Sequence, residues 1–309
     1  MECRICGQDA PADQEIILAR DRFSGTPEKF PYFECGSCGC VQMVDLPSTT
    51  SNFYPPSYYS FGEVRTGGLR FRIKRARGRY ALFGRGASGR VLNWVCPDLV
   101  LNAVGSVRPR TDDAILDVGC GSGQLLWTLR DLGFRNLRGV DPYLSEEISR
   151  DGMLITRQSI EELETPFDLI MFHHSFEHLR DPVESLQHAR RIISAEGHVL
   201  IRMPTTSSWA WTRFGSHWVQ LDAPRHTFIQ SLKSMDIIAG QAGFDIVSVE
   251  YDSTDFQFWG SAAYEKGLRL VDVHPALLHR AIFLRKARLW NKLQIGDQAC
   301  WVLRPQKRV

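Results

Sequence analysis

The chain lacks any apolar run approaching the ~18 residues that a bilayer-spanning helix needs, and its opening decapeptide MECRICGQDA lacks the basic-then-apolar order of a secretory signal. Both absences point to a cytoplasmic protein. An excess of one charge is also missing: 37 basic residues face 35 acidic ones, a formal +2 over 309 residues. No overall attraction to polyanions is therefore expected. Internal repeats and low-complexity tracts are absent. Cysteine is not scarce, with eight residues. Four of them form two CxxC units while Cys40, Cys96, Cys120 and Cys300 are scattered, a pattern that suits a bound metal in a reducing compartment better than a disulfide framework. Hydrophobic content of 43% and charged content of 23% are ordinary for a globular protein. The length then predicts one α/β domain of roughly 200 residues with a smaller appendage.

The appendage is expected at residues 1–47. Cys3-Arg4-Ile5-Cys6-Gly7 stands at one end of a loop and Cys35-Gly36-Ser37-Cys38-Gly39 at the other. Each turn presents two thiolates to one ion, and the glycine after each second cysteine permits the positive φ that lets backbone N–H groups approach sulfur. Zinc held by Cys3, Cys6, Cys35 and Cys38 is the expected guest, and four thiolates leave no open position, so its role is structural. The pieces Glu15–Ala19 and Tyr32–Glu34 read as short strands with too little apolar area for a core of their own, so the metal must supply much of the stability.

Residues 48–110 are expected to form a linker and a helical, basic segment. STTSNFYPPSYYSFG (48–62) reads as an ordered linker whose aromatics pack nearby. From Arg65 to Arg90 run Arg65, Arg70, Arg72, Lys74, Arg75, Arg77, Arg79, Arg85 and Arg90 without an acidic residue. Either this run contacts an anionic substrate or a membrane surface, or it is a solvated helix face docked through Leu69, Phe71, Ile73, Tyr80, Leu82 and Phe83.

The main unit is expected at 111–252. In ILDVGCGSGQLL (115–126) an apolar β-type stretch runs into Gly119, Gly121 and Gly123, after which Leu125, Leu126 and Leu129 recur at helical spacing. Asp141 ends the next apolar segment about twenty residues on, where a nucleoside-binding sheet places a carboxylate for ribose hydroxyls. Strands are expected at Ala114–Val118, Leu137–Val140, Leu154–Thr156, Phe167–Phe172, His198–Met203, Phe244–Tyr251 and Cys300–Leu303. Helices are expected from Gly123, near Glu146, at Val183–Ile193 and at Gln230–Ala242. Strands separated by helices imply a parallel sheet. Residues 253–309 then supply a helical cover or dimer contact and a last strand.

The GxGxG spacing, Asp117 and Asp141 together resemble the class I S-adenosylmethionine-dependent methyltransferases, whose first motif has the form (I/L)LDxGCGxG. FDLIMFHHSFEHLRDP (167–182) is similar to that family's fourth strand and following loop, and Leu200–Pro204 to its fifth strand. The paired CxxC units and LDAPRH (221–226) resemble the zinc-ribbon methyltransferases associated with sugar and cell-surface polysaccharide biosynthesis. The resemblance implies an α/β, Rossmann-like, mostly parallel seven-stranded sheet with a small N-terminal zinc ribbon, and S-adenosylmethionine as cofactor. It further implies that Gly119, Gly121 and Gly123 approach the methionine end, Asp117 orients the amino group and Asp141 takes the ribose. Cys120, Pro142 and His173 are counted with them as cofactor contacts. Gln158 and Ser159 fall where many relatives place an acidic residue beside the adenine amine. Here recognition must use Gln158, a backbone group at Ser159 or Ile160, or apolar packing.

Methyl transfer needs an acceptor aligned with the methyl group and a proton removed, and a histidine suits the second task. His226 is the expected base, with an ordinary polar contact as the alternative. His178 and His174 are further candidates, although His178 has a structural alternative as the cap of the helix after Pro182. Arg225 could pair with a substrate phosphate or carboxylate. Trp209, Trp211 and Trp218 either stack on sugar rings or pack an inserted lid. Phe172-His173-His174-Ser175 replaces the (N/D)PP(Y/F) of enzymes that methylate nucleic-acid amines, so no nucleic-acid acceptor is expected. The resulting expectation is O-methylation of a sugar or glycan intermediate. Alternatives are C-methylation of a nucleotide-linked keto-sugar, whose enzymes carry HEH where this chain has Pro224-Arg225-His226, and O-methylation of a quinone or small aromatic. A non-catalytic interaction protein is disfavoured by the intact Asp117, glycines and Asp141. Oligomeric state is not legible.

Overall fold

The computed structural model describes residues 1–22, 28–47, 53 and 68–307, with side chains beyond the gap from residue 72. Arg65, the side chain of Arg70, and the 48–62 linker apart from Phe53 lie outside the described residues. Phe53 packs edge-on against Phe30, with ring centroids 5.8 Å apart.

The N-terminal unit contributes β1 (Ile17–Arg20), β2 (Lys29–Glu34) and β3 (Val41–Met43), joined antiparallel. Its sheet is completed by β10 (Phe228–Ile229) from the main unit. The apolar surface that is too small for a separate core is shared instead. Cys3, Ile5, Phe33, Cys35, Cys38 and Cys40 pack in one cluster with Phe176, Phe228 and Met235.

Three helices follow: α1 (Gly68–Phe83), α2 (Ala87–Val95) and α3 (Leu99–Ser106). The Asp98 side chain caps α3 by accepting from the Leu101 N–H. Arg77 pairs with Asp98 at 2.7 Å, whereas Arg72, Lys74, Arg75, Arg79, Arg85 and Arg90 are exposed. None of the described basic residues from 72 to 90 lines the large cavity discussed below, which favours the solvated-face reading of this stretch.

The main sheet has eight strands rather than the expected seven, and it is mixed. Its strands are β4 (Ile115–Val118), β5 (Leu137–Val140), β6 (Ile148–Arg150), β7 (Met153–Thr156), β8 (Phe167–His173), β9 (Ile193–Pro204), β11 (Phe244–Tyr251) and β12 (Gln298–Pro305). They lie in the order β11-β12-β9-β8-β4-β5-β7-β6. The central strands are parallel, while β12 is antiparallel to both its neighbours and β6 antiparallel to β7. The added strand is β6, where a helix near Glu146 was expected. Ile148-Ser149-Arg150 is too short and too exposed to bury a helical face, so it pairs with the sheet edge.

Strand alternation divides the interior. Leu116, Val118, Ile170 and Phe172 face one side, against α5 (Pro182–Ile192) and α7 (Leu232–Gln241). Ile115, Leu169 and Met171 face the other, against α3 and α4 (Gln124–Leu132). A sheet covered on both faces requires this continuous apolar sequence. The short helix α6 (Trp209–Phe214) precedes β10, and α8 (Phe256–Glu265) and α9 (Leu277–Lys292) lie between β11 and β12. No helix among the described residues is long and apolar enough to cross a membrane.

Candidate active site

The site lies at the carboxyl ends of the parallel strands, where an open α/β sheet places its ligand crevice. Strand β4 delivers the chain to Gly119, whose φ of +71° belongs to the left-handed region that glycine tolerates. A Cβ at Gly119 would stand 2.5 Å from the Ser175 Cβ. Ser175 is itself fixed by donating to the Val118 carbonyl at 2.6 Å. Strand β5 ends at Asp141, whose two carboxylate oxygens accept the Gly121 N–H at 3.0 Å and the Tyr143 N–H at 2.9 Å. Burial pushes the Asp141 carboxyl up, and those two donors partly offset it. Asp117, fully enclosed one layer deeper, is pushed up to about 8 by burial and by the charge of Asp141.

A cavity of about 620 Å³ opens between these strand ends, within the range of small-molecule sites. Gly119, Asp141, Pro142, Gln158, Ser159, His174 and His178 all line it. Asp117, Cys120, Gly121 and Gly123 do not. They build the turn behind the wall, where a Cβ at Gly123 would strike Ile155 Cδ1 at 2.1 Å. Gln158 brings its side chain to the wall already engaged, with Oε1 accepting from Arg138 at 2.7 Å and from Thr156 at 2.8 Å.

Of the two adjacent histidines, only His174 meets the cavity. His173, at the end of β8, is half-buried and does not line the cavity, its buried ring nitrogens without a hydrogen-bond partner among the described residues. His174, at φ +52°, turns to the wall instead. Its Nε2 accepts from the Arg202 guanidinium at 2.8 Å and its Nδ1 lies 3.3 Å from Glu177. His178 lines the cavity with its Nδ1 2.9 Å from the Arg225 carbonyl. Helix α5 is capped not by His178 but by Asp181, which accepts the Glu184 N–H at 2.9 Å.

His226 does not hang over the cavity. Only 5% exposed, it sits behind His178, the two rings edge to face at 4.8 Å. The Tyr32 hydroxyl of the N-terminal sheet donates to its carbonyl at 2.8 Å. Burial, helped by His178, pulls its imidazole down to about 4. Arg225 is likewise removed from any substrate role: fully buried, it donates to both Asp222 oxygens at 2.6 and 2.8 Å and to Asp21 at 3.1 Å. The tryptophans are core. Trp218 donates to Asp297 at 3.0 Å, Trp211 to Glu34 at 3.0 Å, and Trp209 packs on Trp290. Wall residues that carried no sequence signal include Leu46 from the end of the N-terminal unit, Tyr143 and Glu161. Glu177, fully buried beside three histidines, was visible only as part of the EHxxDP motif.

The four cysteines converge as expected. Their sulfurs lie within 4.8 Å of one another, with Cys3 to Cys38 at 3.7 Å and Cys6 to Cys35 at 3.6 Å. A tetrahedron with Zn–S bonds of ~2.3 Å has edges of ~3.8 Å, so the set fits that ion. Gly7 and Gly39 take φ of +70° and +72°, and Gln42 donates to the Cys3 sulfur at 3.0 Å. Thr206, Ser231 and Lys233 donate to the carbonyls of Gly39, Cys38 and Ser37, fastening the second knuckle to the main unit.

The strand order, the glycine turn after the first central strand and the carboxylate closing the second together define a Rossmann-like methyltransferase fold. A family profile described as a methyltransferase domain matches residues 93–249, half of the chain. The chain belongs to that family of methyltransferase domains. Among curated proteins it is similar to a tRNA U34 carboxymethyltransferase of Idiomarina loihiensis, 25% identical over 189 residues, which are 54% of this chain and 57% of that protein. The match thus spans less than two thirds of that relative's length. Among solved structures it is similar to a complex between the Haloferax volcanii Trm112 methyltransferase activator and the putative methyltransferase (16% identity, TM-score 0.49, 75% of this chain and 98% of that one). It is also similar to an S-adenosylmethionine-dependent methyltransferase of Mesorhizobium loti (16%, 0.45, 66% and 96%).

Proposed function

We propose that this enzyme O-methylates a hydroxyl of a sugar or cell-surface glycan intermediate, with S-adenosylmethionine lying along the cavity between Gly119 and Ser159. The carrying observation is that the Asp141 carboxylate and His178 line one cavity, a cofactor anchor and an acceptor-side group within a single ligand space. Asp141 keeps one lone pair on each oxygen for ribose hydroxyls after accepting its two backbone donors. Gln158 and Ser159 flank the adenine. Asp117 and the glycine turn set the methionine end. When bound, the cofactor supplies an electrophilic methyl group on a sulfonium.

On the acceptor side, His174 accepts from Arg202 at Nε2 and turns Nδ1 inward toward the buried Glu177, and His226 is set back, so acceptor activation falls to His178. A hydroxyl-rich ligand is supported by Glu161, Asp181 and Glu184 on the same wall. The four-cysteine site holds zinc in a structural role. The protein works in the cytoplasm, with domains at 1–47, 48–110, 111–252 and 253–309.

Calorimetric titration with S-adenosylmethionine tests the cofactor site. Asp141→Ala should bind at least ~10-fold more weakly, since hydrogen bonds to a charged group contribute ~1.5–3 kcal/mol. No binding by the wild type, or undiminished binding by a folded variant, would reject the assignment. Methyl transfer from labelled cofactor to nucleotide sugars and glycans, with tRNA as the contrasting acceptor, then tests the substrate class. Labelling of tRNA alone would reject the sugar reading.

A further inference from the structure

A second cluster stands just behind the cavity wall. Glu177 and His178 come from the turn after β8 and His226 from the loop ahead of β10, and one donor atom from each lies within 4.8 Å of the others. The tautomers follow from the hydrogen bonds. His226 Nδ1 is 2.7 Å from the Gln220 carbonyl and His178 Nδ1 2.9 Å from the Arg225 carbonyl. A carbonyl only accepts, so each Nδ1 carries the hydrogen and each Nε2 the lone pair. A backbone carbonyl fixing the far nitrogen is the arrangement that orients metal-ligating imidazoles.

Glu177 supplies the charge. Its carboxylate is 0% exposed and neither oxygen has a hydrogen-bond partner among the described residues. His174 Nδ1 at 3.3 Å and His226 Nε2 at 3.8 Å are its ion-pair neighbours. A carboxylate is thus enclosed with imidazole nitrogens as its polar neighbours among the described residues, an arrangement that a cation relieves.

We infer that Glu177, His178 and His226 hold a divalent transition-metal ion beside the methyl-transfer cavity. Two imidazoles and one carboxylate select zinc, manganese or iron(II) over magnesium or calcium, and three donors leave coordination positions open. An ion ~2.1 Å from each donor limits donor separations to ~4.2 Å. The widest gap therefore closes by about half an ångström at most, within reach of a rotation of the unrestrained Glu177 carboxylate. The inference rests on and deepens the proposed function. His178 lines the cavity, so the three residues activate the acceptor by holding the ion there. A hydroxyl drawn to the ion becomes more acidic. Its proton leaves to water, the oxygen–methyl bond forms as the sulfur–methyl bond breaks, and the sulfonium leaves as a neutral thioether.

Manganese separates this site from the four thiolates, which favour softer ions. Mn²⁺ is titrated into the full-length, zinc-replete protein while the spectrum of the free ion is followed by electron paramagnetic resonance. The expected result is one Mn²⁺ per chain, with uptake weakened at least ~10-fold in Glu177→Gln and S-adenosylmethionine binding by that variant retained as the control for folding. If Glu177→Gln does not fold, His178→Gln replaces it, and the wild-type titration stands by itself. Wild-type protein that binds S-adenosylmethionine but takes up neither Mn²⁺ nor a second zinc overturns the inference and leaves the methyltransferase reading intact. Undiminished uptake by the variant overturns it as well. Uptake of one Mn²⁺ by protein that does not bind S-adenosylmethionine supports the ion and counts against the cofactor assignment.

Discussion

Replacing Gly119 by alanine imposes two penalties that the structure separates. The first is conformational: at φ +71° an L-residue costs ~1–2 kcal/mol. The second is steric, because the new Cβ would meet Ser175 Cβ at 2.5 Å. Ser175 cannot swing aside without giving up its bond to the Val118 carbonyl at 2.6 Å, so overpacking should add ~1–3 kcal/mol. Gly84 isolates the first penalty. Its φ is +65°, and none of the described residues lies within 4 Å of an added Cβ. Urea unfolding should place Gly84→Ala ~1–2 kcal/mol below the wild type and Gly119→Ala ~2–5 kcal/mol below. Adding Ser175→Gly to Gly119→Ala should recover the steric part, giving a coupling of ~1–3 kcal/mol in a double-mutant cycle. Because Gly119 lines the cavity, S-adenosylmethionine affinity should fall with Gly119→Ala and stay unchanged with Gly84→Ala. Equal destabilisation at the two glycines, or strict additivity with Ser175→Gly, would refute the close approach.

Asp117 gives a pH prediction. Its folded pKa of about 8 lies above its unfolded value of 3.8. Between those values the unfolded chain releases the proton and the folded one keeps it, so this group lowers stability as pH rises through the window by up to ~1.4 kcal/mol per unit. Asp117→Asn should flatten the stability profile between pH 5 and 8, measured by urea titration at ~1-unit steps, and an unaltered slope would contradict the burial argument. Metal analysis should return about one zinc per chain from the four-cysteine site. Chelation should lower the melting temperature and expose the amides of Thr206 and Ser231, next to the second knuckle, to hydrogen exchange. Zinc-free protein with an unchanged melting temperature would remove the metal from the account of stability.

Local periodicity was enough for the centre of this molecule. Ile115–Val118 and Leu137–Val140 are apolar segments bounded by turn residues, and their burial on both sheet faces leaves the chain little choice. Each CxxC knuckle is also local, since its glycine and its two thiolates lie within five residues. The expected helix near Glu146 failed because a short polar stretch has no face to bury and took its hydrogen bonds from a neighbouring strand edge instead.

The sequence by itself determined the parallel core, the glycine turn with Asp117 and Asp141 on either side, and the four-thiolate set. These depend on spacing within a strand, a turn or a pair of matched loops. The tertiary structure alone decided which of His173 and His174 meets the cavity, because one left-handed residue at the end of β8 sets the direction of both. It withdrew His226 and Arg225 from the surface by closing Tyr32, Asp21 and Asp222 over them. It also brought His226 against Glu177 and His178, a juxtaposition made by packing between segments distant in sequence, for which no local pattern in the chain carries a signal.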